Sequence, residues 1–243
     1  MSQHPITSAI VLAGGLGTRL RSAVPDLPKP MAPIAGRPFL AHQLDQWIAQ
    51  GIRDFVLAVG YRHEAISDYF GAHYRGAAIR YSVEATPLGT GGALLQAASL
   101  VATDARFLLL NGDTYFDVAL PALADFAVAH DADWCFSLFV AAEPGRYMGM
   151  TVDGDGRISA LKSDDQTPGR LANGGVYLVH PRSLRGAPDP AHSALSLENN
   201  LFPAWLEAGQ RFHGLAVDGR FIDIGVPYDY HRAADVLPQT CEE

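Results

Sequence analysis

In the stretch AIVLAGGLGTRLRSAVPDLPKP (9–30) an apolar run leads into three glycines, a Thr-Arg pair and a lysine held between two prolines. Backbone N–H groups of a glycine-rich loop after a first parallel strand can cradle phosphate oxygens, because glycine allows close approach and tolerates positive φ. A tight βα turn would account for the glycines alone. It would not account for Arg19 directly after the loop, or for Lys29 between Pro28 and Pro30. Prolines stiffen the backbone on both sides and hold the lysine stem in one direction. The two cations suit triphosphate chemistry. Two familiar loops are excluded: a dinucleotide fingerprint would need glycine where Leu20 stands, and no Gly-Lys pair exists for an ATPase loop.

Lysine is scarce throughout. Of 18 basic residues 16 are Arg and two are Lys, at positions 29 and 162. A lysine is a compact charge on a flexible stem that can follow a moving phosphate, which an arginine fork does less well. Lys162 is therefore either a leftover surface residue or a second phosphate contact. Asp113 closes the run FLLLNGD, where ligands of open α/β sheets gather, so it is a candidate metal ligand as well as a turn-forming residue. The nine histidines show no ligand spacing, and no Gly-x-Ser-x-Gly elbow is present. Cys135 and Cys241 read as free thiols.

These residues need a scaffold. The 243-residue chain is 48% hydrophobic and 18% charged, without low-complexity tracts, which describes an ordinary globular protein. A net charge of −8 gives no footprint for nucleic acid, and the longest apolar runs are too short to span a bilayer. With no basic-then-apolar leader, a cytoplasmic location is expected. Short Val-, Ile- and Phe-rich runs predict strands at 9–13, 54–60, 78–84, 106–113 and 133–141, separated by helices at 38–51, 63–71, 91–102 and 120–131. Hairpin strands around the DGDG turn (153–156), a strand at 174–180, a helix at 196–209, a strand near 221–225 and a helix at 227–237 follow. The fold class is α/β, with a mixed, mostly parallel central sheet and helices on both faces, in one domain over 1–243.

The combination Gly14, Gly15, Gly17, Thr18, Arg19, Leu20 and then Pro28, Lys29, Pro30 resembles the signature of the sugar-1-phosphate nucleotidyltransferases. The resemblance continues in order through VGYRHEAI, EATPLGTGGAL, LLLNGDTYFD, NGGVYLV and FIDIGVPYDY, and the wording is nearest to the heptose 1-phosphate guanylyltransferases. It implies a Rossmann-like nucleotidyltransferase fold and a defined reaction. A sugar 1-phosphate attacks the α-phosphorus of a nucleoside triphosphate, giving a nucleotide sugar for glycan or polysaccharide synthesis and releasing pyrophosphate. By resemblance, Arg19 and Lys29 are catalytic, and Asp113 and Asp223 hold Mg²⁺. Leu12, Ala13, Gly14, Gly15, Gly17, Thr18, Glu84, Pro87, Gly89, Thr90, Asn111 and Gly112 bind the nucleotide. Lys162, Asn173, Gly174 and Glu198 bind the sugar phosphate.

The base and sugar stay open at this point. A carboxylate at Glu84 can accept two hydrogen bonds from the guanine edge, which favours GTP, but relatives that transfer uridylyl groups with Glu here are an alternative. Mannose 1-phosphate with GTP, and N-acetylmuramate 1-phosphate with UTP, are the neighbouring readings. A regulator that binds nucleotide sugars without turnover is the reading from another class. The chain reads ALKSDD where the family carries a Glu-Lys pair, which leaves the role of Lys162 open. No left-handed β-helix repeat follows, so a fused acetyltransferase domain is not expected, and a homodimer is an assembly open to this chain.

Overall fold

The computed structural model describes residues 5–238 apart from Leu16, Thr18, Arg19, Arg21, Ser22, 102–104, 142–146, Met148, 164–168 and 191–193. Thr18, Arg19 and Cys241 thus lie outside the described residues. After β1 (Ser8–Leu12) come the two-residue strands β2 (Pro33–Ile34) and β3 (Arg37–Pro38), then α1 (Phe39–Ala49), β4 (Asp54–Val59), α2 (His63–Phe70), β5 (His73–Tyr74), β6 (Ala77–Val83) and α3 (Gly89–Ala98). The chain continues through β7 (Phe107–Asn111), β8 (Thr114–Phe116), α4 (Leu120–Ala129), β9 (Trp134–Ala141), β10 (Gly149–Val152), β11 (Ile158–Ser163) and β12 (Arg170–Val179). It ends with α5 (Phe202–Glu207), β13 (Phe212–Ala216), β14 (Phe221–Asp223) and α6 (Pro227–Val236).

One ten-stranded sheet runs β11-β10-β12-β7-β1-β4-β6-β5, with β9 beside β12 and β13 beside β9. Strands β6, β4, β1 and β7 are mutually parallel, and β12 joins β7 antiparallel. Side chains alternate faces with period two, so each strand feeds two cores. Ala9 and Val11 of β1 meet Leu40, Leu44 and Trp47 of α1, Phe70 of α2 and Leu123 of α4 on one face. On the other, Ile10 meets Ala93, Leu94 and Ala97 of α3 and Phe202 and Trp205 of α5. Helices thus cover both faces. Each fully buried Leu or Phe is worth about 1.5–3 kcal/mol, so a one-residue slip, which would turn these chains to the wrong side, is strongly disfavoured.

Beyond the short strands β2, β3, β5 and β8, which the sequence did not announce, four elements depart from expectation, each for a physical reason. The expected strand to 113 stops at Asn111, where Gly112 N–H turns to Leu12 O (3.0 Å) and the chain bends into β8. The expected helix at 196–209 divides into a π-helical turn (Leu197–Leu201) and α5, at a point where Pro203 has no N–H to continue an α-helical ladder. Strand β12 begins at Arg170, four positions before the expected 174; it is interrupted where Asn173 faces Leu138 but Tyr177 faces Phe136, leaving two extra residues on β12. Such bulges re-aim side chains beside functional sites. Strand β13 was not expected, because His213 and Gly214 interrupt its apolar pattern; parallel pairing with β9 overrides that weak propensity.

Candidate active site

Parallel strands β1, β6 and β7 end on the same edge of the sheet, and each delivers one part of the site there: the glycine loop, Glu84 and Asp113. Among the described residues, Leu12, Ala13, Gly14, Gly15, Gly17, Lys29, Glu84, Pro87, Gly89, Thr90, Asn111, Gly112, Asp113 and Asp223 all line one cavity of about 460 Å³. Glu198 reaches it too, and Pro30 of the signature together with Ala93 and Thr114, which the sequence did not single out, complete the wall. A larger hollow of about 710 Å³ beside α1 contains Asp45, Asp117 and Asp218 and no Lys or Arg, so its charge is wrong for phosphates.

Lys29 lies in a tight 3₁₀ turn, Lys29–Met31, and its ammonium donates to Asp113 Oδ2 at 3.0 Å with only 13% of the side chain exposed. Asp113 and Asp223 are brought together by the small β8–β14 ladder: Asp223 pairs with Thr114, and Ile224 N–H donates to the Asp113 carbonyl at 3.0 Å. Gly225 N–H donates to Asp223 Oδ1 at 2.6 Å and fixes that carboxylate. Among the described residues no group of three or more His, Cys, Asp or Glu is arranged to hold a metal alone. Two hard carboxylates, Asp113 in the turn just before β8 and Asp223 at the end of β14, fit a cation such as Mg²⁺, which completes its shell with waters and substrate phosphates.

Glu84 is half-buried at the end of β6, and its Oε2 accepts the Leu88 N–H at 2.9 Å. Burial pushes its carboxyl above the ordinary value, and the Leu88 hydrogen bond partly opposes that. Its other oxygen stands where a side chain on Gly14 would begin, so Gly14→Ala would force the carboxylate aside. We expect that variant to lose roughly tenfold to a hundredfold in kcat/KM for the nucleotide while melting normally, measured by steady-state pyrophosphate release.

Gly89 has φ +72°, and an added Cβ would lie 2.5 Å from Leu195 O, so here close backbone approach is to the chain itself. That carbonyl accepts Gly91 N–H at 2.7 Å, and Leu195 N–H donates to Leu88 O at 2.7 Å. Thr90 Oγ1 continues the seam, donating to Glu198 Oε2 (2.9 Å) and accepting Leu197 N–H (2.8 Å). The cap of the π-helical turn is Ser196, whose Oγ accepts Asn199 N–H and donates to Glu198 Oε2.

Lys162, Asn173 and Glu198 line an adjoining cavity of about 280 Å³ with Phe136, Tyr147 and Phe202 among its walls. Lys162 donates to Asn199 Oδ1 at 2.7 Å. Asn173 Nδ2 donates to the buried Tyr177 hydroxyl at 2.7 Å, and its Oδ1 accepts Gly175 N–H at 3.0 Å. Gly174 is in neither wall; the Phe116 ring occupies the space a side chain there would need.

Residues 8–240 match the model of the nucleotidyl transferase family over nearly the whole chain. The chain belongs to the nucleotidyl transferase family. Two relatives of this nucleotidyl transferase are D-glycero-alpha-D-manno-heptose 1-phosphate guanylyltransferases. The one from Aneurinibacillus thermoaerophilus is 39% identical, with 94% of this chain and 97% of the relative covered. The one from Campylobacter jejuni is 36% identical, with 92% and 96% covered. Among solved structures, HddC from Yersinia pseudotuberculosis complexed with GMP-PN superposes with a TM-score of 0.83 at 28% identity, over 95% of this chain and 99% of that one. No helix among the described residues of the transferase is long and apolar enough to cross a membrane.

Proposed function

We propose that this nucleotidyl transferase moves GMP from GTP to D-glycero-α-D-manno-heptose 1-phosphate, releasing pyrophosphate and supplying an activated heptose for glycan synthesis in the cytoplasm. The observation that carries this reading is the meeting of the glycine loop, Lys29, Glu84 and two carboxylates around one 460 Å³ cavity that adjoins a second, 280 Å³ one. The names of the relatives give the sugar and base.

A phosphate oxygen of the sugar attacks the α-phosphorus, a P–O bond forms, the bond to the β-phosphate breaks, and its electron pair leaves on pyrophosphate. Two anions must approach, so positive charge and alignment dominate the barrier. Lys29, freed from Asp113 by an arriving phosphate, neutralises charge between the reacting groups. Loop N–H groups at Gly14, Gly15 and Gly17 orient the triphosphate, and Arg19 is assigned to the departing pyrophosphate on sequence grounds. Asp113 and Asp223 would hold Mg²⁺, which when bound offsets phosphate charge. Lys162 and Glu198 face the sugar side, where Glu198 accepts hydroxyl protons in hydrogen bonds.

Glu84 reads the base by accepting from guanine N1–H and N2–H₂. Glu84→Gln is expected to lower kcat/KM for GTP about tenfold to a hundredfold while changing UTP turnover far less. Because burial raises the Glu84 carboxyl, the ionised acceptor is present at high pH and is lost on acidification sooner than an ordinary carboxylate would be. The KM for GTP should rise as pH falls through that range in the native enzyme and stay flatter in Glu84→Gln. The decisive assay is pyrophosphate release over four nucleoside triphosphates against heptose, mannose and N-acetylmuramate 1-phosphates, with and without Mg²⁺. Turnover confined to GTP and heptose phosphate supports the proposal; turnover with mannose phosphate or with UTP moves the specificity, and binding without turnover overturns the reaction.

A further inference from the structure

The Asn111–Thr114 turn carries Asp113 into the cavity, and something must hold that turn against the sheet. On the strand side, Gly112 N–H bonds to Leu12 O at 3.0 Å. From the opposite side comes a single side chain of α1. Gln43, 1% exposed, donates from Nε2 to Asn111 O at 2.8 Å and to Thr114 O at 2.7 Å, closing both ends of the turn with one amide. Both partners are acceptors, so the amide nitrogen has to face them. Gln43 Oε1 is buried with no hydrogen-bond partner. Stranding that oxygen is costly, and a leucine would fill the volume without the cost, so the contribution of glutamine here is the pair of bonds to the turn.

Gln46 on the same face of α1, three positions on, and Gln50, the residue that caps its C-terminus, extend the pattern. Gln46 donates to Phe116 O at 2.6 Å, and Gln50 donates to Val118 O at 3.0 Å while accepting Leu120 N–H at 2.7 Å. These two hold the strand and helix that follow the turn. Gln43 alone spans the residue that faces the phosphate edge.

We propose that Gln43 is a positioning residue for the reaction: by tying Asn111 and Thr114 to α1 it sets where the Asp113 carboxylate stands relative to Lys29 and Asp223. This rests on the reading of Asp113 and Asp223 as the carboxylates that hold the divalent cation. A side chain that acts only by orienting a ligand shifts metal affinity and kcat together, whereas one that merely supports the fold shifts melting.

The test uses the full-length protein with Mn²⁺ as probe, its binding read by electron paramagnetic resonance in the presence of a non-hydrolysable GTP analogue, beside kcat, KM and thermal melting. In Gln43→Leu the Mn²⁺ dissociation constant should rise about tenfold and kcat fall roughly tenfold to a hundredfold, with the GTP KM within about twofold of wild type. Gln46→Leu, which frees a carbonyl beyond the turn, should leave the Mn²⁺ constant unchanged. A folded Gln43→Leu with wild-type Mn²⁺ binding and kcat overturns the proposal, and so does an equal shift in Gln46→Leu. If Gln43→Leu does not fold, Gln43→Asn carries the test, because it keeps the amide but shortens its reach; an intermediate rise in the Mn²⁺ constant supports the assignment and none overturns it. Asp113→Asn separates the two layers. Wild-type Mn²⁺ binding in that variant overturns the carboxylate reading and this proposal together, whereas loss of binding there with none in Gln43→Leu overturns this proposal alone.

Discussion

Asp113→Asn should lower kcat by about two to three orders of magnitude, the range for removing one preorganised charge from a site that stabilises a developing anion. Asp113 is the point where three features meet. It pairs with Lys29 at 3.0 Å, it precedes the strand residue opposite Asp223, and its carbonyl accepts Ile224 N–H. Asparagine keeps the size and the backbone bond but removes the charge, so circular dichroism and melting should match wild type. Single-turnover pyrophosphate release across a Mg²⁺ titration measures the effect. Full activity at ordinary Mg²⁺ would remove the metal assignment.

Lys29→Met is expected to cost a comparable factor, about 10²–10³ in kcat/KM, because it deletes the one described cation whose side chain reaches into the 460 Å³ cavity among Gly17, Asp113 and Asp223. Removing it also leaves Asp113 without its ion-pair partner. Lys29→Arg should rescue little: the planar fork cannot pivot between Asp113 and a phosphate as an ammonium does, and the Pro28–Pro30 frame does not move to accommodate it. Steady-state kinetics on both substrates, with GTP binding measured by calorimetry, separate lost chemistry from lost affinity. A Lys29→Met variant within tenfold of wild type would make the lysine a structural partner of Asp113.

What was legible beforehand was local. The glycines and Glu84 could be read because each follows a strand whose apolar run announces itself, Lys29 because prolines flank it, and the apolar runs of β1, β4 and β7 predicted a sheet with two covered faces. What depended on distant pairing was not legible. Nothing near Gly89 or Gly174 in the chain says that Leu195 and Phe116 will occupy the space beside them. The bulge at Asn173–Tyr177 exists only in the register with β9, and β13 owes its extended form to the same partner. Gln43 did leave a trace: three glutamines at 43, 46 and 50 recur at helical spacing, an arrangement that invites the question of which backbone they bind. The pairing of Lys162 with Asn199 crosses two elements that no periodicity connects.

The β8–β14 ladder also has a temporal meaning. Domains fold as units, and contacts between segments remote in sequence carry the larger loop-closure cost. Lys29, Glu84 and Asp113 are all synthesised by the time β7 and β8 appear, but Asp223 arrives only after β9 to β13 have been made. On the proposed reading, the segments of the nucleotide cradle are therefore translated well before the second carboxylate. If Asp223 holds the cation as proposed, a polypeptide cut short before Phe221 would lack one of the two carboxylates the reaction needs.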